Sequence, residues 1–138
     1  MRKMKLGLLA AASLALTAGA AMAAGPVGLW RDNDKGAEIK VSECGAGLCV
    51  QIAKPSDPVA KDKNNPDPSL RGRSLAGLTL ISGAKQSAAN VWQGDVYNVE
   101  DGRVYSGSLT LVSEARLQME GCALAGLVCK TRTFSRIK

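Results

Sequence analysis

The stretch from Asp101 to Glu120, DGRVYSGSLTLVSEARLQME, decides the fold. It opens on Asp101-Gly102, a pair that suits the positive φ of a tight hairpin turn. Apolar and polar residues then alternate. Tyr105, Leu109 and Leu111 fall on one face, and Ser106, Ser108 and Thr110 on the other. Ser113-Glu114 reads as a two-residue link. Beyond it, Leu117 and Met119 alternate with Arg116, Gln118 and Glu120. A period of two is the mark of strands packed on one side and wet on the other.

The same punctuation extends outward in both directions. Short apolar or alternating runs are separated by Gly, Asp, Asn and Ser, which predicts eight strands. They are Val27–Arg31, Ala37–Ser42, Leu48–Ala53, Leu78–Gly83, Val91–Asn98, Val104–Val112, Ala115–Glu120 and Val128–Arg136. Asp32-Asn33-Asp34-Lys35-Gly36 and Glu100-Asp101-Gly102 are further hairpin links. No segment reads as an amphipathic helix, and Ala84–Ala89 is expected to form a turn or a short helix. Successive antiparallel strands must hide their edges. Closure into a barrel does so completely, and two packed sheets do so in part. The expected fold is therefore all-β: a small, disulfide-bearing, eight-stranded antiparallel up-and-down barrel.

The first residues read as an address. Arg2, Lys3 and Lys5 precede the apolar run Leu6–Ala18, and Ala21-Met22-Ala23 is a small-x-small cleavage site. This is the three-part pattern of a secretory signal peptide. The alternative, a membrane anchor, needs an apolar run of about 20 residues, longer than this one. Cleavage after Ala23 leaves one domain, residues 24–138, expected in the periplasm. It removes three cations and takes the formal net charge from +6 to +3. An exported domain with so small an excess of charge is not expected to bind nucleic acid. No mature segment is long and apolar enough to span a membrane. The mature chain is expected to be a monomer.

Composition narrows the chemistry. The chain has no His, which excludes Ser-His-Asp and Cys-His catalytic sets and any His-bearing metal site. Its aromatic residues are two Trp, two Tyr and one Phe, too few for sustained stacking on single-stranded nucleic acid. Four cysteines, Cys44, Cys49, Cys122 and Cys129, all lie in the mature part. An even count in a small exported domain predicts disulfides. Local pairing, Cys44–Cys49 and Cys122–Cys129, brackets a short turn in each case. A zinc site is the alternative, but the six residues between Cys122 and Cys129 do not match a zinc knuckle. No metal or cofactor is expected.

One segment breaks the meander. Lys54–Arg73 holds four of the five prolines and no hydrophobic period. Structureless insertions of this length are uncommon in compact domains and are often functional. It is expected to be the most mobile part of the chain and a contact surface, the alternative being a plain solvated loop. Asp57, Asp62, Asn64, Asn65 and Asp67 suggest a calcium loop, but the EF-hand pattern fails. Pro66 stands where an oxygen ligand belongs, and the turn glycine is missing.

The two ends of the mature chain resemble a known signature. Gly28-Leu29-Trp30 near the start and Arg132-Thr133-Phe134-Ser135-Arg136 near the end are similar to the lipocalin-type (calycin) pattern. The resemblance implies that the first and last strands are neighbours and that Arg136 covers Trp30, a contact worth about 0.5–2 kcal/mol. The interior extends it. Ser42-Glu43-Cys44-Gly45-Ala46-Gly47-Leu48-Cys49, Asn65-Pro66-Asp67-Pro68-Ser69-Leu70-Arg71, Trp92-Gln93-Gly94-Asp95-Val96-Tyr97-Asn98 and Gly121-Cys122 follow in order. This series resembles the bacterial domain-of-unknown-function family numbered 2147 over essentially the whole mature chain. The resemblance implies export in Gram-negative bacteria and a lipocalin-like barrel. Val50 and Phe134 depart from it, standing where the family commonly has Gly and Trp. The second departure puts a smaller ring at the barrel closure.

Three functions compete. In the first, the barrel binds a small apolar or amphipathic ligand in its mouth without catalysis. Trp92, Tyr97 and Tyr105, on or near adjacent strands, are the aromatic candidates for that mouth. In the second, the interior is packed and the protein inhibits or contacts a periplasmic partner through the proline-rich loop. Asn65, Asp67, Arg71 and Arg73 are the candidate contacts there, the two arginines being placed to receive an anionic head group. In the third it is an enzyme. That reading is set aside, because the turn aspartates Asp32, Asp34, Asp57, Asp62, Asp67 and Asp101 suit local backbone hydrogen bonds and Glu120 alone is not a mechanism.

Overall fold

A computed structural model describes residues 24–138, together with 12 and 13. The expected signal peptide otherwise lies outside the described residues. Eight strands follow in chain order: β1 Gly28–Asp32, β2 Glu38–Cys44, β3 Gly47–Lys54, β4 Thr79–Ala88, β5 Val91–Asn98, β6 Arg103–Ser113, β7 Arg116–Ala123 and β8 Val128–Arg136. Each pairs antiparallel with the next, and β8 returns to β1 through Trp30↔Arg136, Arg31↔Ser135 and Asp32↔Phe134. The sheet is a closed up-and-down barrel with no free edge. Among the described residues, no helix is long and apolar enough to cross a membrane.

The alternation read from the sequence is the alternation seen. Leu109 and Leu117 are wholly buried, and Leu111 and Met119 nearly so. Each such side chain withdrawn from water stabilises the fold by about 1.5–3 kcal/mol. The turn between β6 and β7 is Glu114-Ala115, one residue later than expected, because Ser113 completes the ladder by pairing with Arg116.

Two expectations are corrected. Most of Ala84–Ala89 is neither a turn nor a helix: β4 runs on to Ala88, with irregular register on both sides, and only Ala89 falls in the following turn. Gly83, at φ +76°, supplies the bend that lets the strand continue. Ala84 is buried inside it.

The proline-rich insertion is not structureless either. Asp62 sits at its centre, fully buried. Its carboxylate accepts from Asn65 Nδ2 at 2.9 Å, Arg73 Nε at 2.9 Å and Tyr97 Oη at 2.7 Å. Lys61 and Ser74 form a β-bridge across the neck of the loop. Asn64 donates to the carbonyls of Val99 and Glu100, fastening the loop to the β5–β6 turn. Gly102 lies against the Asn64 carbonyl in a space that no side chain could share. Of the residues considered for calcium, Asp57, Asp62, Asn65 and Asp67 have side-chain oxygens that accept hydrogen bonds within the loop. Asp57 accepts from Val59 N, and Asp67 caps a single 3-10 turn, Pro68–Leu70, by accepting from Ser69 N.

Three glycines stand side by side across adjacent strands, Gly94↔Gly107 and Gly107↔Gly121. A Cβ on Gly94 would lie 3.0 Å from Ala84 Cα, and one on Gly107 would lie 2.9 Å from Val96 Cγ1. The missing side chains let Ala84 and Val96 pack directly on the glycine backbone of the neighbouring strand.

Both disulfides form by local pairing. Cys44–Cys49 closes the β2–β3 hairpin, and Cys122–Cys129 ties directly paired positions of β7 and β8. Topology puts the first at the closed end and the second at the open end. Glu120 lies beside Cys122 and Cys129, but those sulfurs are bonded to each other and offer no thiolate to a metal. Replacing Cys44 and Cys49 together by Ala should lower unfolding free energy by about 2 kcal/mol, from the chain-entropy cost of a short loop. Urea titration checks this. An unchanged midpoint would mean that the hairpin is held by its ladder alone.

A candidate ligand cavity at the open end

Up-and-down topology gathers the β1–β2, β3–β4, β5–β6 and β7–β8 links at one end of the barrel. Inside that end is a cavity of about 430 Å3. Small-molecule sites commonly fall in the range of roughly 300–1,000 Å3. The wall is apolar: Ile39, Ile52, Leu80, Val96, Met119 and Phe134 contribute to it. Phe134 is buried at the level of Asp32 and Leu117. The smaller ring expected at the barrel closure therefore stands below the mouth, away from the Trp30–Arg136 contact.

Strand β8 supplies the polar rim. Because side chains alternate, the strand that turns Phe134 inward also turns in Arg132, Lys130 and Val128, and all four line the cavity. Arg132 bridges two carboxylates, Asp32 at 3.2 Å and Glu100 at 2.6 Å. Lys35 reaches Glu100 at 2.5 Å. Asp32 is buried, and its other oxygen accepts from the backbone of Asp34 and Lys35. The Lys35 hydrogen bond, chiefly, holds the Glu100 carboxyl below its ordinary range against the opposing effect of burial, with the Arg132 charge adding to it. Tyr105, also at the rim, donates to Asp101, which lowers the Asp101 pKa and raises that of Tyr105.

The residues singled out in the sequence divide between the two ends. Tyr97 and Tyr105 reach the open end, but Trp92 does not. It pairs with Leu109 near the β4–β5 turn and packs against the core. Trp30 and Arg136 meet at the closed end, the guanidinium carbon 4.2 Å from the ring centroid. Asn65, Asp67, Arg71 and Arg73 face one another within the loop. Arg73 pairs with Asp62 at 2.9 Å, and Arg71 donates to the Asn65 carbonyl at 2.8 Å. Asn65 accepts in turn from the Asp67 amide. These bonds shape the loop, while Arg71 and Arg73 remain exposed at its surface.

Sequence reasoning missed the charged rim of Asp32, Lys35, Glu100, Lys130 and Arg132. One signal was present. Once Phe134 is assigned inward, a period of two carries Arg132 and Lys130 inward with it.

The architecture has a counterpart among solved structures. "Protein HP1028 from the human pathogen Helicobacter pylori belongs to the lipocalin family" superposes with a TM-score of 0.72 at 24% identity, covering 81% of this chain and 82% of that one. No curated protein matches the chain in sequence. The family model described as "Uncharacterized protein conserved in bacteria (DUF2147)" matches residues 28–136. That span runs from the first residue of β1 to the last of β8, and the chain belongs to this family.

Proposed function

We propose that the protein binds a small apolar or amphipathic ligand at the open end of its barrel and performs no catalysis on it. The observation that carries this is the cavity of about 430 Å3, walled by apolar side chains and rimmed by charge. Apolar wall surface of this kind favours transfer of an apolar solute from water at about 25 cal/mol per Å2 buried. The rim carboxylates are held by Arg132 and Lys35, which suits them to shaping the mouth rather than to proton transfer. The proposal also places the mature chain in the periplasm, beginning at Ala24, where disulfides persist. An intact mass that retained residues 1–23 would remove that part of it.

The alternative, contact with a protein through Lys54–Arg73, draws less support, since Asn65 and Arg73 are spent on Asp62.

An uncharged naphthylamine dye should bind saturably with a rise in fluorescence. Ala123→Trp, which fills the mouth, should weaken it by about tenfold, the equivalent of roughly 1.4 kcal/mol. Unaltered dye binding by a folded Ala123→Trp protein would put the ligand outside the barrel.

A further inference from the structure

The cavity wall carries three cations, Lys35, Lys130 and Arg132, against two carboxylates, Asp32 and Glu100. Two of the cations are spent. Arg132 spans both carboxylates, and Lys35 sits on Glu100. Lys130 makes no ion pair among the described residues. Its place in the ladder adds to this. Lys130 pairs across β7–β8 with Gly121, which also lines the cavity and has no side chain of its own to reach the ammonium, Val96 and Tyr105 packing against its backbone instead. One step further in, Met119 and Phe134 begin the apolar wall. An ammonium at the rim and hydrocarbon beneath make a site with a polar end and an apolar end.

We infer that the ligand is an amphiphile with a single anionic head, seated on Lys130, its apolar body lying against Ile39, Leu80, Met119 and Phe134. The inference rests on the reading of the open end as a binding site and adds the chemistry of the head. The sign of charge follows from the rim. A cationic head would have to displace Arg132 or Lys35 from carboxylates they already satisfy. An anionic head meets the one cavity-lining cation that makes no ion pair among the described residues, an ammonium near enough to Glu100 and Asp101 to feel their charges but bonded to neither. Arg71 and Arg73 are held within the loop, and neither they nor Arg103 at the start of β6 line the cavity.

Displacement of an uncharged naphthylamine dye tests it, with dodecanoate and dodecanol as competitors. The wild-type protein should prefer dodecanoate by about tenfold or more, the scale of one charge-assisted hydrogen bond. Lys130→Gln should abolish that preference while leaving dodecanol within about twofold. Lys130→Arg should restore it, and Lys130→Glu should reverse it. Added salt should shrink the preference, because the rim is wet. Dodecyl phosphate in the same assay separates a carboxylate head from a phosphate one, and either held through Lys130 supports the inference. A preference that survives Lys130→Gln overturns it by putting the head elsewhere. Equal binding of acid and alcohol by the wild type overturns it too, while leaving the cavity as an apolar site. If neither competitor nor dye binds, the reading of the cavity fails and the inference goes with it.

Discussion

Trp30→Ala should lower the free energy of unfolding by about 3–5 kcal/mol, the usual cost of truncating a large buried ring. The ring is fully buried, and its Nε1 donates to the Pro26 carbonyl at 2.8 Å. Arg136 lies over it and ties the lead-in to β1 to the β6–β7 turn, donating to the carbonyls of Glu114, Val27 and Gly25. Gly28 completes the arrangement. At φ +148° it passes so close to Arg136 and the Lys138 carbonyl that a Cβ would displace them. Arg136→Ala should cost less than Trp30→Ala, since it uncovers the ring without removing it. The two losses should be non-additive, by about 0.5–2 kcal/mol, because they report one contact. A double-mutant cycle on urea unfolding measures this. Strict additivity would mean that the guanidinium acts through its backbone hydrogen bonds and contributes nothing through the indole.

The second large effect is expected at Asp62. Asp62→Asn should cost about 3 kcal/mol, because Arg73 loses its counter-charge and the hydrogen bonds that met at one carboxylate are left poorly matched. The loss should be local in its consequences. Trypsin should cut the variant at Lys61, Lys63, Arg71 or Arg73 under conditions in which the wild-type loop resists. Equal resistance would show that Asn64 and the Lys61–Ser74 bridge hold the loop without the carboxylate. Acid should produce the same opening. Burial raises the Asp62 pKa, but the hydrogen bonds from Tyr97, Asn65 and Arg73 and the Arg73 charge outweigh it, and the group titrates below its ordinary value of 3.8. A carboxylate with a depressed folded pKa contributes its full stability above the unfolded pKa. That contribution is lost as pH falls from the ordinary carboxylate range through the lower folded value. Glu100 shifts in the same direction, so the loop and the rim should loosen over one acidic window.

What could be read from the sequence was whatever depends on neighbours along the chain. Period-two alternation gave all eight strands, and two short cysteine spacings gave both disulfides. The contact of Trp30 with Arg136 was implied by the resemblance to the calycin pattern, and closure, which brings the first and last strands together, is what makes it possible. What could not be read depends on partners far apart. Tyr97 meets Asp62 across 35 positions. Nothing local to Asp62, Asn65 or Arg73 distinguishes a buried carboxylate with its donors from the polar residues of a solvated loop. The extra length of β4 was hidden for a different reason. Ala84 looks like a weak strand residue, and it is small because Gly94 brings a backbone against it. The charged rim was hidden by the ordinary expectation that Lys130 and Arg132 face water. They do face water, from the inner side of a barrel mouth.

The division of the barrel between a packed core and an open mouth has a bearing on how it can change over evolutionary time. Trp30, Leu109 and Leu117, wholly buried, carry the cost of keeping the chain folded, while Ala123, Val128 and Lys130 border space that is already empty. Substitutions at the mouth alter what fits without opening a void in the core. A lineage can thus exchange one guest for another by small steps at the mouth, each step leaving the folded state intact, and the scaffold outlives any particular ligand it has served.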